Sequence, residues 1–202
     1  MKNKLKSIAL AVAGAALLMA FTFAQQTDAP LWDMDGTHSS VNFTTSHFFV
    51  PIEGAFDKFD GTLKFDPTNL EGSSSDFKIE VGSVNTKDGK RDGHLKSKDF
   101  FDAKSFPNMT FKSTKFKKVS EKEFEMEGVL TIKDKSKSIT IPFTLLNVMD
   151  HPMKNGSLIA GIKAKTTIKR SDFGVGTGDW ASDKVVGDET EIRIIMELSR
   201  KK

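Results

Sequence analysis

The stretch Leu158-Ile-Ala-Gly-Ile-Lys-Ala-Lys-Thr-Thr-Ile-Lys169 places Leu158, Ala160, Ile162, Ala164 and Ile168 on one parity and Lys163, Lys165, Thr167 and Lys169 on the other. Side chains along a strand point alternately to its two faces, so this pattern describes a β-strand apolar on one side and charged on the other. The pattern recurs near the C terminus, where Ile192, Ile194, Met196 and Leu198 alternate with Glu191, Arg193 and Glu197. It also recurs upstream, in Ile139, Ile141, Phe143 and Leu145, and in Phe124, Met126, Leu130 and Ile132. Further sets are Phe77, Ile79 and Val81; Leu63 and Phe65; and Val41, Phe43 and Thr45. Turn residues at Asp66-Pro67, Lys133-Asp134-Lys135 and Lys154-Asn155-Gly156 separate the segments. Together they make eight or nine strands, depending on whether Asp60-Gly61 is a hairpin turn or a bend within one strand. The pattern breaks between residues 86 and 108. There Arg91-Asp-Gly-His-Leu95 and Ser97-Lys-Asp-Phe-Phe101 read as short helical turns, with Ser97 available as an N-cap. Antiparallel strands with one apolar face must stack as a sandwich or close as a barrel, and periodicity alone allows both.

The chain has 202 residues, which suits one domain, and it has no cysteine. That excludes disulfides, thiolate metal centres and cysteine nucleophiles. Lys2, Lys4 and Lys6 precede the apolar run Ile8–Phe21, which ends near Thr22-Phe-Ala24. A basic start, a short apolar run and small residues at −3 and −1 predict a secretory signal peptide over residues 1–24, cleaved after Ala24. The run is short and alanine-rich beside the about 20 apolar residues of a membrane span. Residues 25–30 then form a flexible lead, and one domain covers 31–202. The expected product is periplasmic or secreted. The three leading lysines account for the whole formal charge of +3, leaving 27 basic side chains against 27 acidic ones. A neutral domain whose lysines alternate along strands lacks the electrostatic footprint of a nucleic-acid binder.

No catalytic motif is present: there is no G-x-S-x-G elbow, H-E-x-x-H pair, P-loop or dinucleotide fingerprint. Gly174, Gly176 and Gly178 read as a loop. None of the four histidines stands at i,i+2 or i,i+4 from another, so no metal site is read from spacing. His38 has the outward parity. His47 shares the inward parity of Val41 and Phe43, which makes it either a strand-end imidazole bonded to backbone or a polar contact at a cavity mouth. Arg91, Asp92 and His94 form a polar cluster in the helical interruption. They either pin that excursion, through an Arg91–Asp92 pairing or loop carbonyls, or cap a cavity and meet a ligand headgroup. Fifteen of the 17 phenylalanines follow residue 24, and there is no tyrosine. Aromatic walls without hydroxyls suit a long apolar ligand, each buried CH₂ of which gains about 0.8 kcal/mol.

A longer order of motifs resembles the YceI-like family. It opens with Trp32-Asp-Met-Asp35, His38-Ser39, Val41, Phe43 and His47, and continues through Gly54-Ala-Phe56, Phe59-Asp-Gly61, Phe65-Asp-Pro67 and Ser83-Val-Asn-Thr86. Arg91-Asp-Gly-His-Leu95, Asp99-Phe-Phe-Asp102, Phe106-Pro107, Phe111-Lys-Ser-Thr114, Gly128-Val-Leu-Thr-Ile132 and Arg170-Ser-Asp-Phe-Gly174 complete it. Asp134 stands where members commonly have a glycine after the Leu-Thr-Ile strand. The resemblance implies an all-β fold, an eight-stranded antiparallel lipocalin-like barrel with short helical segments around residues 87–105. It implies an elongated apolar cavity for a polyisoprenoid, an isoprenoid quinone or a fatty amphiphile, and it carries no established catalytic residues. Strand parity then nominates Val41, Phe43, Phe65, Ile79, Val81, Phe111, Met126, Phe143, Ile162, Ile194 and Met196 as apolar wall, and His47, Arg91 and His94 as the polar end. The expected function is an exported, non-enzymatic carrier, monomeric or homodimeric, that needs no cofactor beyond its bound lipid. The alternatives are an enzyme on a lipid or quinone using His47 or His94, and an accessory partner of a membrane redox protein.

Overall fold

The structure, a computed structural model, describes residues 27–202. The expected signal peptide, residues 1–24, lies outside the described residues, as do residues 25 and 26 of the lead. The strands are β1 (Leu31–His47), β2 (Val50–Phe56), β3 (Phe59–Lys64), β4 (Ser74–Glu80), β5 (Val84–Asn85), β6 (Asn108–Lys118), β7 (Glu123–Ile132), β8 (Lys135–Asp150), β9 (Ser157–Lys169) and β10 (Glu189–Lys201), with one helix, α1 (Gly89–Leu95). They form one antiparallel sheet. β10 pairs with β9 on one side and with β1 on the other, through Val41↔Ile194 and Phe43↔Ile192, so the sheet closes. That second partner decides for a barrel over a sandwich, since closure is what removes the sheet's edges.

β2 and β3 both run along β1, β2 against Val41–His47 and β3 against Leu31 and Trp32. They are one bent stave, and the barrel has eight staves, with the short β5 added beside β2. The bend falls at Asp57-Lys58; Asp60-Gly61 lies inside β3, paired with Lys78 and Phe77. Residues 27–30 pack along the 69–72 turn. Ala29 is buried and its N–H donates to the Gly72 carbonyl at 2.9 Å, while the Thr27 carbonyl accepts from Asn69 Nδ2 at 2.8 Å.

α1 is capped by Asp88, whose carboxylate accepts from the N–H groups of Lys90 (3.0 Å) and Arg91 (3.2 Å). These bonds to the Arg91 and Lys90 backbone hold the Asp88 carboxyl below its usual range. Ser97 caps no second helix. Its hydroxyl accepts from Asp99 N–H at 3.3 Å within a chain of turns, which is tied back to α1 by Phe101 N–H to Leu95 O (3.0 Å).

The core divides in two along the barrel axis. At the base, where β1 begins and β10 ends, Trp32, Leu63, Phe65, Phe124 and Leu198 are buried. The Phe65 ring lies 5.7, 5.3 and 5.4 Å from the rings of Phe116, Phe124 and Phe143. Trp32 Nε1–H satisfies the Phe65 carbonyl at 2.9 Å. At the other end, Val81, Val84, Phe100, Phe173 and Val175 pack between the barrel rim and the loops above it.

Candidate functional site: an apolar cavity

Between the two clusters lies a cavity of about 190 Å³ to which all eight staves contribute. Along β9 it is lined by Ile162, Ala164, Thr166 and Ile168, and along β10 by Thr190, Ile192, Ile194 and Met196. Six residues at about 3.3 Å each make the lining about 20 Å long in the strand direction. Its polar side chains are Asn42, Thr45, Thr166, Thr190 and Arg170; no histidine or carboxylate is among the lining residues. The outer face of the same strands is charged, with Lys163 and Lys165 exposed and Lys165 paired to Glu191 at 2.7 Å. A barrel apolar inside and charged outside is the inverse of a membrane-spanning barrel.

Three glycines explain how so many rings leave a void. A Cβ on Gly54 would collide with the Phe43 ring, one on Gly61 with Phe77, and one on Gly128 with Phe111. Each ring therefore lies sideways over a glycine on the neighbouring strand instead of pointing down the barrel axis. All three phenylalanines line the cavity.

Of the eleven wall residues nominated by parity, Val41, Phe43, Ile79, Phe111, Met126, Phe143, Ile162, Ile194 and Met196 line the cavity. Phe65 and Val81 do not. Phe65 lies one layer below, in the base cluster, because β3 has already ended at Lys64. Val81 follows the last residue of β4 and sits in a 3₁₀ turn, Val81–Ser83, with its N–H on the Pro107 carbonyl at 2.9 Å. Parity stops carrying information where the strand stops.

The three polar nominees also lie outside the lining. His47 is exposed: β1 keeps its parity, but the β1–β2 hairpin projects past the barrel rim, so the imidazole packs on Phe48 with ring centres 4.5 Å apart. Arg91 donates from Nε to Thr86 Oγ1 (2.7 Å) and from Nη2 to the Thr86 carbonyl (2.8 Å). Asp92 accepts from the Thr86 hydroxyl (2.6 Å) and N–H (2.8 Å), so Thr86 joins the two charges, which form no direct pair. His94 Nε2 meets Asp99 Oδ2 at 3.0 Å, and its ring stands edge-on to Trp180 and Phe100. Arg91 and His94 thus hold the loop segments of the helical interruption together, whereas the His47 ring packs on its neighbour in the hairpin.

The charged residue that does reach the cavity is Arg170. It extends the inward parity of Ile162, Ala164, Thr166 and Ile168, and an arginine on that face was the signal in the sequence. It is 6% exposed. Its Nη1 donates to the carbonyls of Val175 (2.9 Å) and Gly176 (2.7 Å), Nη2 to Val186 (2.7 Å) and Nε to Gly187 (3.0 Å). Gly176, at φ +71°, has no Cβ to block the guanidinium. Burial pushes the Arg170 pKa down, against the opposing charges of Asp188 and Asp183. The arginine thus ties the 174–176 and 186–187 segments together over one end of the cavity.

Outside the cavity the fold assembles Asp35, His38 and Glu197, whose ligand atoms lie within 4.8 Å of one another on the barrel surface. They sit at a bulge between Asp35 and Ser40, where Asp35 accepts from the N–H groups of Thr37 and His38. The Asp35 hydrogen bond, then the charges of Asp35 and Glu197, raise the His38 pKa.

The model of the YceI-like domain matches residues 32–198. A UPF0312 protein of Vibrio cholerae serotype O1 is 32% identical over 167 residues, 82% of this chain and 87% of that protein. The crystal structure of BcnA from Burkholderia cenocepacia aligns with a TM-score of 0.73 and 32% identity, covering 84% of this chain and 100% of that one. A polyisoprenoid binding domain from Saccharophagus degradans shares the fold at 14% identity, with a TM-score of 0.62 over 85% of this chain and 98% of that domain. With the motif order, the eight-staved closure and these alignments in agreement, the chain belongs to the YceI-like family.

Proposed function

We propose that this protein is an exported, non-enzymatic binding protein that holds one long apolar chain, of the polyisoprenoid, isoprenoid quinone or fatty type, inside its barrel. The observation that carries the reading is the cavity itself, elongated, walled by aliphatic and phenylalanine side chains, with no histidine or carboxylate on its lining and with the one lining guanidinium, Arg170, bonded to loop carbonyls. Each CH₂ moved from water into such a wall gains about 0.8 kcal/mol. A ligand of about fifteen carbons therefore gains about 12 kcal/mol, which offsets all but the top of the roughly 4–15 kcal/mol association cost without a strong polar anchor. The description of the Saccharophagus degradans domain as polyisoprenoid binding supports the same class of ligand. His47 and His94 lie off the lining, which favours holding over acid–base chemistry.

Native mass spectrometry of protein purified from its own host tests this directly. A single bound species with the mass of a prenyl or acyl lipid is expected. Phe143→Trp and Ile194→Trp each fill the lumen and are expected to abolish that adduct while the barrel still folds. An adduct that survives in both variants rejects the cavity as the site, and detected turnover of the lipid rejects the non-enzymatic reading.

A further inference from the structure

The β1–β2 hairpin ends in His47-Phe48-Phe49-Val50, and the last three are exposed by 55%, 88% and 52%. His47 pairs with Val50, so Phe48 and Phe49 form a two-residue connection, and Phe48 has φ +55°. That is the first position of a tight hairpin turn with positive φ, where glycine is favoured and a bulky side chain is disfavoured. Turn chemistry does not account for two phenylalanines there; the Phe48 ring packs on His47 yet stays more than half exposed, and Phe49 is almost fully solvated.

Their location supplies a reason. Phe48 N–H donates to the Val185 carbonyl at 2.7 Å, His47 bridges to Val186, and Gly187 N–H donates to the Ser46 carbonyl at 2.9 Å. Val186 lines the cavity and is held by Arg170. The aromatic tip is therefore fastened to the loop that covers the cavity, whereas the opposite end is closed by the Phe65, Phe116, Phe124 and Phe143 stack. Two phenylalanines offer at most about 150–250 Å² each. That falls short of the roughly 800 Å² per partner of a stable protein interface. Aromatic side chains do enter the headgroup boundary of a bilayer individually. Among the described residues no helix is long and apolar enough to cross a membrane.

We propose that Phe48 and Phe49 dock the protein onto a lipid bilayer, bringing the loop-covered end of the cavity against the reservoir of its apolar ligand. The choice of lipid as the partner rests on the reading of the cavity as a lipid site. The absence of cysteine lets a single nitroxide be placed cleanly. With phosphatidylethanolamine–phosphatidylglycerol vesicles, a label on Phe49→Cys is expected to gain oxygen accessibility and lose contact with a water-soluble nickel relaxant. A label on Met153→Cys, 86% exposed at the opposite end, is expected to stay aqueous. Phe48→Gly with Phe49→Ser is expected to lower vesicle partitioning by at least about tenfold, given the transfer energy of the two rings. Its lipid adduct and thermal midpoint should be retained. Labelled Phe49→Cys protein that carries lipid yet leaves position 49 aqueous overturns this inference alone. Protection of position 49 by a protein in the absence of vesicles overturns it in favour of a protein partner. Vesicle insertion of position 49 without any cavity ligand overturns the binding-protein reading and leaves the docking contact standing.

Discussion

The two ends of the barrel are built from the same alternating strands but closed by different means. At the base, rings stack on rings: Phe124 is 1% exposed, with its ring 5.5 Å from Phe143, and Leu198 is equally buried. At the rim, the closing elements are loops that pack an apolar cluster including Phe173 and Val81 and are further tied by polar bonds, Arg170 to four carbonyls and Arg91 and Asp92 to Thr86. Dispersion and burial fill the base densely. Hydrogen bonds to loop carbonyls give a modest net gain, which is spread over a few residues. On the proposed reading of the cavity, the looped rim is the end through which a ligand would pass.

This contrast can be broken experimentally. The largest effect is expected at the floor: Phe124→Ala should cost about 3–5 kcal/mol, read as a shifted denaturant midpoint. A cost below about 1 kcal/mol would mean that the ring cluster is not what holds the base together. Next comes the rim. Arg170→Met strands the carbonyls of Val175, Gly176, Val186 and Gly187 and should cost about 2–4 kcal/mol. Its loss of amide protection should be confined to residues 170–188, and equal loss in β7 would erase the distinction between the ends.

Smaller again are the cavity glycines. Gly54→Ala and Gly128→Ala push the Phe43 and Phe111 rings toward the lumen and should each cost about 1–3 kcal/mol through overpacking. Lipid occupancy should fall more steeply than stability does, because the displaced ring takes the ligand's place. Native mass spectra alongside thermal melts separate the two. The smallest effect concerns His38, outside both ends. Asp35 and Glu197 favour its protonated form, so the stabilisation is present below the ordinary histidine range and is lost as pH rises through the raised pKa. Asp35→Asn should lower the His38 midpoint in an NMR titration, with little change in melting temperature because the groups are exposed.

Much of the wall was legible in advance because strand parity is a local property: knowing that Phe43 faces inward also orients Val41. The same logic misled at Val81, Phe65 and His47, each next to or beyond the point where its strand leaves the barrel wall. It also passed over Arg170, which has the inward parity but the wrong chemistry for a simple apolar wall. The Arg91, Asp92 and His94 cluster was visible as a cluster, while its task of holding loops depended on Thr86 and Asp99 standing beside it.

By itself the sequence determined that this chain makes antiparallel strands with one apolar face, interrupted once near residues 86–108, and that its motif order is that of the YceI-like family. Only the tertiary structure decided that β10 returns to β1, that the base is closed while the rim is looped, and that free space remains inside. The reason is physical. Alternation acts between neighbours along one strand, whereas closure and empty volume depend on pairs far apart in the chain. Val41 beside Ile194 is such a pair, while Phe43 over Gly54 and Phe111 over Gly128 are contacts between neighbouring strands, and no period within one strand encodes any of them.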